Sequence, residues 1–190
     1  MANEDAPATR RQRAAIVAAL RADGIEVEEF CAAGDPVPTP YTVAHRFRRY
    51  GYRLMFRVLE PHWVLIAMYE RVADQTTLRD PFAAMAWFID WLRRQHIGVR
   101  YVLGRVETGP FRKGRDLGDD RLLCYYVRWG GASIVPAEQV PGMSKARQLA
   151  ATLQGIRFVK VEVPQFRMPK ERARLARSTG ARNSKGSATR

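Results

Sequence analysis

The chain reads as an α+β protein: an antiparallel sheet of about four to six strands packed by two to four helices, with a disordered basic C-terminal tail. Three observations predict this. Between Tyr41 and Val58, apolar residues alternate with basic ones on either side of a glycine-bearing turn, the pattern of half-buried antiparallel strands. Between Phe82 and Leu92, apolar side chains recur at helical spacing. From Gln165 onward the chain holds eight Arg or Lys against one acid, Glu171, in a polar, low-complexity context. The expected organisation is a disordered segment at 1–9, one domain at 10–164 and the basic tail at 165–190.

In chain order, Arg10 to Ala22 is a short helix with Ile16 and Leu20 one turn apart, ended by Asp23-Gly24. Ile25 to Phe30 is a short strand. Three prolines between Gly34 and Pro40 allow neither helix nor central strand, only an extended connector. Tyr41, Val43, His45 and Phe47 then alternate with Thr42, Ala44, Arg46 and Arg48. After a turn at Arg49-Tyr50-Gly51, Tyr52, Leu54, Phe56 and Val58 alternate with Arg53, Met55 and Arg57. A second turn at Glu60-Pro61 leads to His62–Tyr69, which is apolar in both phases and suits a central strand. Three hairpin-linked strands make a meander.

Asp80-Pro81 opens the best-defined helix. Aspartate can accept from the free amides of the first turn, and proline suits the first helical position. Phe82, Met85, Ile89 and Leu92 form one apolar side, and Trp87, Phe88 and Trp91 cover much of the other. Only a narrow polar strip near Asp90 and Arg94 remains. Gly98 closes the helix and Val99–Leu103 is a strand. Thr108–Gly118 is an exposed loop, Asp119 or Asp120 caps a helix running to Trp129-Gly130-Gly131, and Ser144–Gln154 is a further helix stopped by Gly155. Ile156–Val163 is the last strand.

The net charge is +13, from 32 Lys and Arg against 19 acids. Such a balance invites an anionic partner: nucleic acid, a membrane surface or an acidic protein. Two facts temper it. The cations are almost all arginine, consistent with GC-rich coding, and the tail alone supplies +7 of the total. No signal peptide is read in Met1–Arg13, and the longest apolar run, Trp63–Tyr69, is too short to span a bilayer. Cys31 and Cys124 sit in no CxxC pair, which points to reduced thiols and a cytoplasmic protein.

Chemistry is hard to find. His45, His62 and His96 show no ligand spacing and are expected as surface or edge histidines. There is no nucleophile elbow, phosphate loop or dinucleotide fingerprint. Gly109–Gly114 lacks the lysine-hydroxyl ending and helix start that a phosphate loop needs. Glu26, Glu28 and Glu29 lack an acid/base partner and read as a solvated edge. No catalytic, metal-binding or cofactor-binding residue is assigned, and a non-enzyme is expected.

Two features suit macromolecular binding. Arg46, Arg48, Arg53 and Arg57 fall on one face of the hairpin with Tyr50 at its tip. That arrangement suits either phosphates and bases or, the favoured reading, solvent. The second feature is the surplus aromatic face of the Asp80–Gln95 helix. A helix on one sheet needs one apolar stripe, and this one has nearly two, so it meets either a second layer of its own domain or another protein.

The passage Trp63-Val64-Leu65-Ile66, Glu70-Arg71-Val72 and Leu78-Arg79-Asp80-Pro81-Phe82-Ala83-Ala84 resembles the low-calcium-response R (LcrR) family of type III secretion regulators. So does the block Arg121-Leu122, Tyr125-Tyr126-Val127-Arg128-Trp129-Gly130-Gly131-Ala132. The likeness runs from the first helix to about Ala132, and the longer body and arginine-rich tail beyond it inherit nothing. The resemblance implies a bacterial cytoplasmic protein that regulates secretion, by chaperone-like binding of a secretion component. The partners expected are a rod, needle, translocator or gatekeeper protein, or a second copy of this chain. A nucleic-acid-binding regulator is the alternative. The candidate partner-binding residues are Trp87, Phe88 and Trp91, with Arg53, Arg57 and Trp129.

Overall fold

The computed structural model describes residues 6–31, 43–72, 82–106, 119–153 and 155–168. The connector of three prolines, the Asp80-Pro81 cap, the 108–118 loop and the tail from 169 lie outside them.

The first helix, α1 (Pro7–Ala22), begins three residues before the expected start, inside the segment expected to be disordered. Pro7 near its start supplies the preset φ that alanine-rich sequence alone does not signal. Ile16, Val17 and Leu20 are buried along one stripe, and Asp23 follows as C-cap. Strands β2 (Val43–Arg49), β3 (Tyr52–Glu60) and β4 (Trp63–Arg71) form the expected antiparallel meander, and β1 (Val27–Cys31) extends it by pairing antiparallel with β2. The β2–β3 turn puts Tyr50 at φ 51° and Gly51 at φ 78°. Two positive φ values in a two-residue loop match the twist of the flanking strands and fix the register. Phe47 therefore faces Leu54, and Arg48 faces Arg53.

Helix α2 (Ala83–Gln95) is N-capped by Phe82 without a side-chain hydrogen bond and ends at His96 in the left-handed region (φ 52°), before Gly98. It crosses over to β5 (Tyr101–Val106), which pairs parallel to β4. After α3 (Asp119–Gly130) come β6 (Ser133–Val135), a helical turn at Ala137–Gln139, α4 (Lys145–Leu153) and β7 (Arg157–Glu162). The sheet runs β1-β2-β3-β4-β5-β7-β6. Among the described residues it has seven strands, where about four to six were expected. The strand that went unread, β6, is three residues long, too short for any alternation, and the parallel β4–β5 pair is set by the α2 crossover.

The two faces of the sheet are dressed differently. On face A, the side chains of Phe47, Leu54, Phe56, Val64, Ile66, Val102 and Val161 form one core with residues of α1, α2 and α3. On face B, a smaller core of Leu65, Leu103, Val135, Ala137, Val140, Ala151, Ile156 and Phe158 packs the β6–α4 segment over one half of the sheet. Phe166 is buried in the face A core and Met168 packs against it, so the folded body passes the expected boundary at 164.

Candidate partner-binding surface

The aromatic residues of α2 divide by depth. Phe88 is fully buried and lies between Phe47 and Phe56, with ring centroids 5.2 and 5.3 Å away. Trp91 is 1% exposed, and its indole Nε1 donates to Asp23 Oδ2 at 2.6 Å, joining α2 to the end of α1. Neither presents a surface in this structure; they form the layer between sheet and helices. Trp87 is half-buried. Its ring stacks 6.1 Å from Trp91 and meets Phe47 edge-on at 6.1 Å.

What reaches the outside is a cluster that the sequence did not signal. The Arg49 guanidinium lies 4.8 Å from the ring centroids of both Tyr50 and Trp87. Tyr50 is 38% exposed at the hairpin tip. Arg49 reads as the first residue of the turn, but it ends β2 two residues after Phe47, in the same phase as the apolar side. A cation between two aromatic rings is held by their negative faces. The result is an arginine–aromatic cluster, half-buried at Arg49 and Trp87 and exposed at Tyr50, where the β2–β3 hairpin meets α2.

The four arginines of the hairpin do share one face, face B, but not one fate. Arg57 is 2% exposed and belongs to the interior. Arg46 ion-pairs Glu28 at 2.5 Å, and Arg53 ion-pairs Glu70. Around them opens a polar groove of about 390 Å³ lined by Glu26, Glu28, Arg46, Arg48, Arg49 and Arg53. The acidic cluster thus meets the arginines across the β1–β2 pair, and the groove carries both signs rather than a continuous positive field. Trp129 lies in α3, and its side chain falls outside what the structure describes.

Two further groups were misplaced or missed. His45, expected at the surface, is 5% exposed; burial lowers its pKa, with Glu29 opposing and Arg13 and Arg21 reinforcing. Tyr69 stacks on Tyr52 at 5.0 Å, and the backbone amides of Met85 and Ala84 donate to its oxygen. Burial nonetheless pushes this phenol up, with Tyr52 adding to the shift and the amides partly offsetting it. Tyr69 therefore serves the free amides in the first turn of α2, where a side-chain cap is absent.

Helix α4 carries an exposed apolar stripe, with Leu149 61% and Leu153 78% exposed. A cavity of about 40 Å³ between α2, α3 and the sheet is walled by residues such as Met85, Val159 and Phe166. Its volume is far below that of a cofactor pocket. Among the described residues no group of His, Cys, Asp and Glu could hold a metal ion, and no helix is long and apolar enough to cross a membrane. Cys124 is a free, exposed thiol.

A family model described as type III secretion system regulator (LcrR) matches residues 13–149. The match spans well over half of the chain, from α1 into α4, and passes beyond Ala132, where the likeness of motifs ended. The chain belongs to this LcrR family of type III secretion regulators. No curated protein and no solved structure matches it.

Proposed function

With membership of this regulator family as the premise, we propose that the protein is a non-catalytic accessory of type III secretion in the bacterial cytoplasm. It regulates secretion by chaperone-like binding of a rod, needle, translocator or gatekeeper component before export. The observation that carries this reading is the Tyr50–Arg49–Trp87 cluster. Arginine, tyrosine and tryptophan are the residues that most often dominate interface energy, and here packing already holds them in place, which lowers the entropy cost of docking. Phe88 and Trp91 back this surface from below, and Arg53 borders it on the neighbouring groove. An apolar segment of the client covers Trp87 and Tyr50, while its carboxylates or backbone carbonyls meet Arg49.

The test is affinity capture of the tagged protein from its native cells at low and high salt, with nuclease treatment, for wild type and Trp87→Asp. The expected result is a secretion component that persists in high salt with wild type and is lost with the variant. Contacts of this kind resist screening, whereas phosphate contacts do not. Recovery of only nuclease- and salt-sensitive material would transfer the function to nucleic-acid binding. Undiminished capture by a folded Trp87→Asp protein would move the docking surface elsewhere.

A further inference from the structure

The β1–β2 edge of the sheet holds a titratable group that the docking surface does not use. His45 is 5% exposed, and neither Nδ1 nor Nε2 has a hydrogen-bond partner. Its ring lies 5.7 Å from Phe56 of β3, on the same apolar face as Phe47 and Leu54. Directly across the strand pair stands Glu29 of β1, and Arg13 and Arg21 of α1 reach it electrostatically. These are the charged groups facing it from the elements packed around it: one acid on the exposed edge strand, two guanidiniums on the covering helix. A neutral imidazole with two unmatched nitrogens already carries a desolvation cost. A charged one would bury a cation beside two others, with Glu29 offsetting only part of the penalty.

We propose that His45 is an acid-sensitive latch: protonating it loosens α1 from the β1–β2 edge of the sheet. Among the described residues, single side-chain hydrogen bonds tie the two ends of the helix, and such bonds can be released one at a time. Asp23 at the C-terminal end accepts from Trp91 Nε1 and, at 3.3 Å, from Gln95 Nε2. Near the N-terminal end, Gln12 donates to Ile97 O at 3.1 Å and accepts from the His62 amide at 2.6 Å. Between them Ile16, Val17 and Leu20 are buried, and Arg21 Nη2 donates to Val27 O of β1 at 3.3 Å.

The direction follows from proton linkage. Burial lowers the pKa of His45 in the closed form below its ordinary value near 6.5, and an opened, hydrated His45 returns toward that value. Between the two, the open form binds more protons, so closure is complete above about pH 6.5 and weakens as pH falls. The open population rises with acidification by at most about tenfold per pH unit, the limit for one proton.

The experiment is an NMR titration of the full-length protein from pH 7.5 to 5.0, following the histidine rings, the α1 amides and the Trp91 indole N–H. The expected result is that His45 titrates below the ordinary histidine value. In the same interval the indole and α1 signals shift together toward an open form. His45→Phe, which keeps the aromatic packing on Phe56, loses that transition, and His96→Asn keeps it. A His45 that titrates at or above the ordinary value would overturn the latch. So would an indole signal that ignores the titration, or an unchanged transition in His45→Phe. Should His45→Phe not fold, the wild-type titration decides alone.

Discussion

The two faces of the sheet are made from the same strands, yet face A is sealed and face B is divided. Face A meets α1, α2 and α3 over one continuous core. Among the described residues, face B is covered where the Ala137–Gln139 turn and α4 pack on the half of the sheet that holds β4, β5 and β7; over β1–β3 it presents glutamates and arginines. Each side chain on a strand belongs to one face or the other, so a sheet covered by unequal layers sorts identical residue types into different roles. Arg53 and Arg57, four apart on β3 and on the same face, show this best. Arg53 lies at the ion-paired rim, and Arg57 is buried, paired across the strands with Leu65 of the face B core. The lesson concerns charge: arginines that look like a phosphate-binding stripe in sequence are divided by burial and matched by glutamates in the fold.

The strongest way to break the sealed face is Trp91→Ala. It removes a large buried ring and the bond to Asp23, with an expected loss of about 3–5 kcal/mol read from urea denaturation. Trp87→Ala should cost clearly less stability than this, because its ring is only half-buried, while it abolishes capture of the client. Equal losses for the two tryptophans would contradict the division of α2 into buried and presented aromatics.

Comparing Arg57→Ala with Arg53→Ala sharpens the contrast on face B. Emptying the buried site should cost at least about 2 kcal/mol. Breaking the half-buried Arg53–Glu70 pair should cost about 1 kcal/mol or less and weaken at high salt. Similar values at both positions would mean that β3 is not half-covered.

Smaller effects follow within the sealed face. A methyl group on Gly104 would meet Val159 Cγ2 at 3.0 Å, so Gly104→Ala should lower the midpoint of thermal unfolding by an overpacking cost of about 1–3 kcal/mol. Tyr69→Phe deletes the oxygen that serves Met85 and Ala84. It should cost about 1 kcal/mol, the usual worth of a lost cap, and show as faster amide exchange in the first turn of α2.

Much of the fold could be read in advance because its signals are local. The meander was legible in the alternation from Tyr41 to Val58, since period two is a property of a strand and its one wet face. Helices α2, α3 and α4 were legible from apolar spacing and from the glycines that follow them. The start of α1 at Pro7 and the three-residue β6 were not. The first lies in polar, alanine-rich sequence with little apolar contrast, and the second holds its place by pairing with β7. The candidate site was half legible. Counting aromatics on α2 found a helix with two apolar sides, but depth depends on what packs on each. Arg49 was passed over because it reads as the first residue of a turn, and only the apposition of a hairpin tip with Trp87 makes it part of a surface. His45 was misjudged for the converse reason: a histidine in an alternating strand reads as an edge residue until a helix is laid over it.

By itself, the sequence determined the α+β class, the three-strand meander and most helices. These follow from periodicity, turn chemistry and capping within a few residues of one another. Its motifs also carried the likeness to the LcrR regulators. Only the tertiary structure decided the parallel β4–β5 pair, the unequal covering of the two faces, the burial of Trp91, Phe88, Arg57 and His45, and the exposure of the Arg49 cluster. Each depends on contacts between residues tens of positions apart, and no local pattern encodes which face of an element another element will cover.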